Sequence, residues 1–493
     1  IVKKNGGVWL NNDVVMRLHV DDDPEPLKEM RRLVDRAAKQ REGVRVATVG
    51  LHAWGELAMR DLEAMRTAIL ENHPGPVDPL NPDFRKWLDT GYEQALAKAR
   101  EARTYGGYAN ALRYYGAGFR DGHLNSGTTL WQAELWWPRF VVRLRNDRYV
   151  VAATADEKDS TLPPAGAELL ECDGRSARTM VEQDLWPYAQ GPMIDSAWPI
   201  VAADLLIDRG NPWVPRAKMC RFRIGDETKE LALHYRRGSD QAVNDVARRA
   251  VVPLAPLPPV RSVGNGLWVS MPAFQGADER LTELANKAPE WRNAAFIVFD
   301  VRGNTGGNSK WGHQILNALY GQPFLQYAVM PHFAKQVVDW RTSKDNIEHV
   351  RGFGAGSAGV VEGMEKAAAE GRELWRRDPV SPEPPAKAEP LYRGRVVLLT
   401  DRRCASACLD FADLVRLLPN AMHVGLPTSA DSVYMEVRPV DLPSGVGRLG
   451  LPVKVYRDRP RGHNEPYVPH VIYDGDINDT AKVEEWVLAR LSS

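Results

Sequence analysis

Between residues 267 and 418, short apolar runs alternate with amphipathic runs of helical period, and few folds accommodate that pattern. The runs 267–271, 296–299 and 396–399 contain no charged residue. A strand with one face in water alternates polar and apolar positions, whereas a strand covered on both faces does not need to. Uncharged strands separated by helices, one from about residue 310 and one after Ser406, therefore predict an α/β core. The last helix is the clearest. Cys408, Phe411, Ala412, Val415 and Leu418 fall on one face, while Asp410, Asp413 and Arg416 take the other.

The rest of the 493-residue chain exceeds what one hydrophobic core usually organises, so several domains are expected. The reading divides it into an extension (1–50) with a helical, charge-rich stretch at 26–41, a helical subdomain (51–130), a β-rich unit (131–250) and the α/β core (251–493). In the helical part Leu57, Leu62, Met65 and Ile69 share one face and Phe84, Trp87, Leu88, Tyr92 and Leu96 another, before a glycine-rich turn at 116–124. Strands are expected at 140–144, 149–153 and 231–235, a proline-rich linker at 253–259, and an insertion or flexible excursion at about 340–390, where the sequence turns polar.

Composition narrows function. Lys and Arg total 64, as do Asp and Glu, which removes the electrostatic argument for a nucleic acid or an anionic membrane. No apolar run approaches the roughly 20 residues that span a bilayer, and Ile1 opens no charged-then-apolar signal pattern. The four cysteines form no Cys-x-x-Cys pair. Cys172 and Cys220 are far apart, and Cys404 and Cys408, flanking Ser406 at helical spacing, are expected as two small buried thiols rather than a disulfide.

Two segments carry chemistry. Ser406 stands between the strand at 395–400 and the start of the helix, at the positive end of its dipole, where a developing alkoxide or oxyanion is stabilised. Taken alone, a serine there is more often a helix cap. The second segment, 299–308, reads Phe-Asp-Val-Arg-Gly-Asn-Thr-Gly-Gly-Asn after an apolar strand, and paired glycines let backbone N–H groups approach a ligand closely. It lacks the lysine of a nucleotide loop.

The order Asp-x-Arg-Gly-Asn-x-Gly-Gly, then strand, Ala-Ser-Ala, helix and Gly-x-x-Thr resembles the tail-specific (C-terminal processing) peptidases and the catalytic core of tricorn protease. The resemblance covers most of the chain. It implies a ClpP/crotonase-like α/β core, an N-terminal helical subdomain and a PDZ-like β-rich domain, a peptide or protein substrate, no metal or cofactor, and a periplasmic or secreted location. Tail-specific members place a general-base lysine after the serine helix. Here that turn reads Gly425-Leu426-Pro427-Thr428-Ser429-Ala430-Asp431, so Asp431 stands in the lysine's place and a Ser–Lys dyad is excluded there.

The tricorn-like branch implies another base. Its histidine corresponds to His123 in the Asp-Gly-His turn, though the serine beside that histidine is Gly122 here. An imidazole suits the role, since one nitrogen takes the proton while the other meets an orienting carboxylate. The resemblance puts that carboxylate near the C-terminus, at Glu465, with Asp431, Glu436 and His463 as competitors and Lys454 as a remote alternative base. It implies an oxyanion hole from the N–H of Ala407 and of Gly306 or Gly307. Asp300 and Arg302 are expected to brace the loop. Rival readings are a member of the fold that binds peptides or ligands without catalysis, and a hydrolase of non-peptide esters or amides.

Overall fold

The computed structural model describes residues 7–11, 14–18, 45–49, 53–128, 135–250, 254, 256–377 and 386–491. The helical stretch expected at 26–41 lies outside them.

The uncharged runs form the centre of a six-stranded sheet. Its order is Val260–Val263, Gly266–Ser270, Phe296–Asp300, Arg395–Thr400, Ala421–Gly425 and Val471–Ile472. The first pair is antiparallel and every later pair parallel. Alternate side chains serve opposite cores, as a sheet covered on both faces requires. Val269, Ile297, Phe299 and Leu398 pack with Ile315 and Phe411 on one face. Trp268, Val298, Val397 and Leu399 pack with Val483 and Val487 of the terminal helix Thr480–Leu491 on the other.

A second sheet is built from Leu374–Arg376, Val337–Arg341, Gly447–Arg457 and Tyr434–Asp441, with Asn125–Thr128 paired to the long strand Gly447–Arg457. All of its pairings are antiparallel. Three helices, Ala53–Asn72, Pro82–Glu101 and Tyr105–Ala117, share one hydrophobic cluster with this sheet, and the predicted faces bearing Leu62, Met65, Ile69, Phe84 and Leu88 are in it.

The stretch at about 340–390, expected as an insertion or flexible excursion, is not flexible over much of its length. Much of it is ordered as the helices Lys344–Arg351 and Ala358–Ala369 and the strand Leu374–Arg376. Ile347, Val350, Val361 and Met364 bury into the same cluster as the N-terminal helices. Their apolar spacing was hidden by the glutamate-rich outer faces.

The β-rich unit is a sheet in the order Glu227–Ala232, Met219–Ile224, Glu168–Cys172, Arg148–Thr154 and Phe140–Arg145. Its last strand ends at Ala232, three residues short of the predicted 231–235 run. Cys172 and Cys220 are opposite one another on adjacent strands and form a disulfide.

Candidate active site

Both chemistry-bearing segments leave the carboxyl ends of neighbouring parallel strands, the place where open α/β sheets carry ligands. At the end of Phe296–Asp300 the chain turns through a braced loop. Arg302 grips Asp300 with two hydrogen bonds, Nε to Oδ1 at 2.9 Å and Nη2 to Oδ2 at 2.6 Å, and both side chains are buried. Trp268 Nε1 donates to the same carboxylate, and Arg302 Nη1 donates to the carbonyl of Ile477. Both residues therefore brace the loop. Asp401, at the end of the next strand, accepts from the N–H groups of Gly303 and Arg403, tying the two loops together.

That bracing sets the two glycines beside the serine. Gly306 has φ +100°, and a Cβ on it would lie 2.7 Å from the Ser406 Cβ and 2.9 Å from the Ala407 nitrogen. Gly307 has φ +132°, and its Cβ would strike the Phe274 carbonyl at 2.3 Å. Only glycine fits either position. The N–H of Gly306 donates to Asn304 Oδ1 at 2.8 Å, while Asn304 Nδ2 holds the Met271 carbonyl. This distinguishes the two glycines, either of which the sequence offers for an oxyanion hole. Gly306 is occupied, so its contribution is close approach, and Gly307 is the member of the pair whose N–H has no acceptor among the described residues.

Ser406 is not a cap. Its φ of 54° and ψ of −125° lie outside the regions ordinary residues prefer, and its side chain makes no capping bond to the helix Ala407–Val415. The Ala407 N–H, at the first helical position, also lacks an acceptor among the described residues. Cys404 and Cys408, expected as thiols, form a disulfide that spans Ser406. Their spacing fits a packed helix face and a bridge equally well, which is why the pairing was not legible.

Asp431 lies against the serine. Its Oδ1 accepts the Ser406 N–H at 3.1 Å and its Oδ2 accepts from Arg461 Nη1 at 3.4 Å. Burial raises its pKa, and the charges of His123 and Arg461 oppose that rise. Arg461 is fully buried and also pairs with Asp410 and Asp413 on the serine helix, so one guanidinium joins that helix to the turn carrying Asp431.

His123 is fixed through its backbone. Asp121 Oδ1 accepts its N–H at 2.9 Å. Asp121 is itself held by Ser432 Oγ at 2.6 Å and by His73 Nε2 at 3.2 Å. Because Gly75 donates its N–H to His73 Nδ1, that ring carries its proton on Nε2 and points it at Asp121. Burial would raise the Asp121 pKa, but the hydrogen bond and charge of His73, the charge of His123 and the Ser432 hydroxyl outweigh it and hold the carboxyl below its ordinary value. Burial also lowers the pKa of His73, opposed by Asp121. Gln190 of the β-rich unit donates to the Gly122 carbonyl at 2.6 Å, and Asn464 Nδ2 donates to the Arg120 carbonyl at 2.9 Å. His123 Nδ1 is buried with no partner among the described residues.

Glu465 is delivered to the same neighbourhood. Asn464 N–H donates to the Asp431 carbonyl, and Thr428 and Tyr467 exchange hydrogen bonds, so residues 464–467 run beside 428–431. Its carboxylate nevertheless accepts from the Gly462 N–H at 2.9 Å and makes no hydrogen bond to His123, contrary to the sequence expectation. Of the competitors, Glu436 pairs with Lys454, and His463 accepts from the Val433 N–H. Cavities of about 820 and 190 Å³ flank the site, the first edged by Val433, Arg461, Gly462 and His463, the second by Ser309, Asp410 and Leu414.

His73, Asn304, Arg461 and Ser432 were missed by the sequence reading. His73, followed directly by Pro74 at the end of a helix, offered a weak signal; the others offered none.

Residues 267–467 match the sequence profile of peptidase family S41. No curated protein sequence matches the chain. Among solved structures, mature CPAF is similar with a TM-score of 0.55 at 13% identity, covering 88% of this chain and 96% of that one. Mature CPAF complexed with lactacystin gives 0.56 at 15%, covering 88% and 97%. At those identities the likeness speaks for the fold.

Proposed function

We propose that this chain, a serine peptidase whose residues 267–467 are of family S41, attacks the peptide carbonyl of its substrate with Ser406 and uses His123 as the base. The observation that carries the reading is the conformation of Ser406: a non-glycine residue at φ 54°, directly before a helix, with Gly306 pressed against it and the N–H groups of Ala407 and Gly307 left without acceptors. Strain of this kind persists only where the surroundings impose it, and it clusters at catalytic positions.

In the proposed sequence Ser406 Oγ adds to the carbonyl carbon while His123 takes its proton. Charge gathers on the carbonyl oxygen, where the N–H groups of Ala407 and Gly307 and the helix dipole stabilise it. His123 then returns the proton to the leaving amine, and water repeats the cycle on the acyl-enzyme. Glu465 orients His123 by leaving Gly462 and accepting a hydrogen bond from Nδ1, the nitrogen that is buried without a partner. Asp431 does not replace the family lysine as a base. Its carboxylate is buried between Ser406, His123 and Arg461, where it fixes the serine backbone and balances an imidazolium. Two disulfides support an exported location, because such bonds persist in oxidising compartments. No helix among the described residues is long and apolar enough to cross a membrane.

The test is labelling by a fluorophosphonate probe of the wild type and of Ser406→Ala. A labelled wild type beside an unlabelled variant supports the assignment; equal labelling of the two removes it.

A further inference from the structure

The disulfide between Cys404 and Cys408 is placed oddly for a stabilising crosslink. It encloses Ser406 symmetrically, two residues on either side, and its Cα atoms are 5.3 Å apart. Both cysteines are fully buried. A crosslink stabilises chiefly by restricting the unfolded chain, and the effect grows with the loop it closes. Cys172 and Cys220 are separated by 48 positions, Cys404 and Cys408 by only 4. The shorter bridge has the least to offer the fold as a whole.

What it does offer is local. The turn from Asp401 to the first helical residue is tied at its ends, by Arg403 and Cys404 N–H to Asp401 and by Cys408 N–H to the Ala405 carbonyl, while Ser406 is held by its N–H to Asp431 and by its carbonyl, which accepts from Leu409 and Asp410. Relaxing Ser406 from φ 54° toward an ordinary helical value would turn the Ala407 N–H and Oγ relative to the loop that bears Gly306. A sulfur bridge from the residue two before to the residue two after opposes that rotation.

We propose that the Cys404–Cys408 disulfide is a positioning element of the nucleophile, holding the Ser406 turn in its strained conformation and the Ala407 N–H in line with that of Gly307. The inference rests on Ser406 being the nucleophile. Reduction by a dithiol would open the bridge with two electrons and two protons, giving two buried thiols and a cyclic disulfide of the reductant, and would leave the polypeptide intact.

The experiment compares the wild type, Cys404→Ala/Cys408→Ala and, as control, Cys172→Ala/Cys220→Ala, at a temperature well below every melting point. Read-outs are the second-order rate of fluorophosphonate labelling and kcat and KM on one peptide. The expected result is a labelling rate and kcat at least tenfold lower in Cys404→Ala/Cys408→Ala with KM within twofold. The control keeps its labelling rate within twofold although it melts at a lower temperature. Wild-type labelling in Cys404→Ala/Cys408→Ala, or an equal loss in the control, overturns the proposal while leaving Ser406 as nucleophile. A wild type that is never labelled overturns both readings. Should the double variant fail to fold, the wild type is titrated with dithiothreitol and the Cys404–Cys408 bond followed by mass spectrometry. The labelling rate must then fall in step with opening of that bond, and a rate that stays constant as it opens sinks the idea.

Discussion

Asp431 Oδ1 accepts the backbone N–H of Ser406 at 3.1 Å, so the position at which the resemblance to tail-specific peptidases implies a lysine is a carboxylate that grips the serine main chain. That bond holds the main chain of Ser406 and leaves its Oγ unconstrained by it. Asp431→Ala removes the acceptor and one of the three carboxylates facing the buried Arg461. A loss of stability of about 1–3 kcal/mol is expected, read by chemical denaturation. Asp431→Asn, which keeps an acceptor oxygen, should lose less.

Glu465→Gln and Asp431→Asn separate the two carboxylates kinetically. If Glu465 orients His123, Glu465→Gln lowers kcat at least tenfold with little change in melting temperature, since its carboxylate is exposed and tied only to Gly462. His123→Ala should cost about 10³-fold or more in kcat/KM. Undiminished turnover by Glu465→Gln would transfer the orienting role to Asp431.

Gly306→Ala tests the packing of the loop on the serine. The added methyl would meet Ser406 and Ala407 under 3 Å at a φ of +100°. At least a hundredfold loss of kcat and a lower melting temperature are expected. Gly122→Ser is the contrast: a Cβ there meets nothing within 4 Å. Its stability should change by no more than about 0.5 kcal/mol.

Asp413 gives the protein a pH signature. Burial pushes its carboxyl up to about 6, opposed by Arg461 and by the Tyr467 hydroxyl. The folded chain therefore holds a proton there that the unfolded chain has released, and this group's contribution to stability falls as pH rises from about 4 to about 6. Melting temperature followed across that window should show a component that Asp413→Asn flattens. An unchanged pH profile in the variant would count against it.

His73→Ala should be severe. It strips the donor from a fully buried Asp121 carboxylate, and leaving such a group unsatisfied costs about 1–3 kcal/mol or more. Because Asp121 also holds the His123 N–H, the labelling rate at Ser406 should fall as well, measured at a temperature where the variant remains folded.

The parts of this molecule that were legible in the sequence are the local ones. The uncharged strands and the face of the serine helix follow from side-chain period, and period survives in one dimension. The contacts of Asp431 do not: 25 positions separate it from Ser406, and only the meeting of two loops at the sheet's end reveals that Asp431 anchors the serine backbone. Gly306 and Gly307 looked equivalent until Asn304 claimed one of their two N–H groups. Residues 344–376 read as loose because their outward faces are charged, while Ile347 and Met364 carried the inward signal at a strength too low to notice. The Cys404–Cys408 bridge was ambiguous for the opposite reason, since one spacing satisfies two structures.

The turn that bears His123 is gripped from three directions: by His73, just past the helix Ala53–Asn72, through Asp121, by Gln190 of the β-rich unit, and by Asn464 of the segment beside Asp431. A contiguous fragment must run at least from His73 to Asn464 to contain all three grips. A nascent chain that has released Ser406 but not yet Asn464 therefore presents this turn with one of its holds missing. The turn is in this sense a keystone, set only after segments far apart along the chain have met around it.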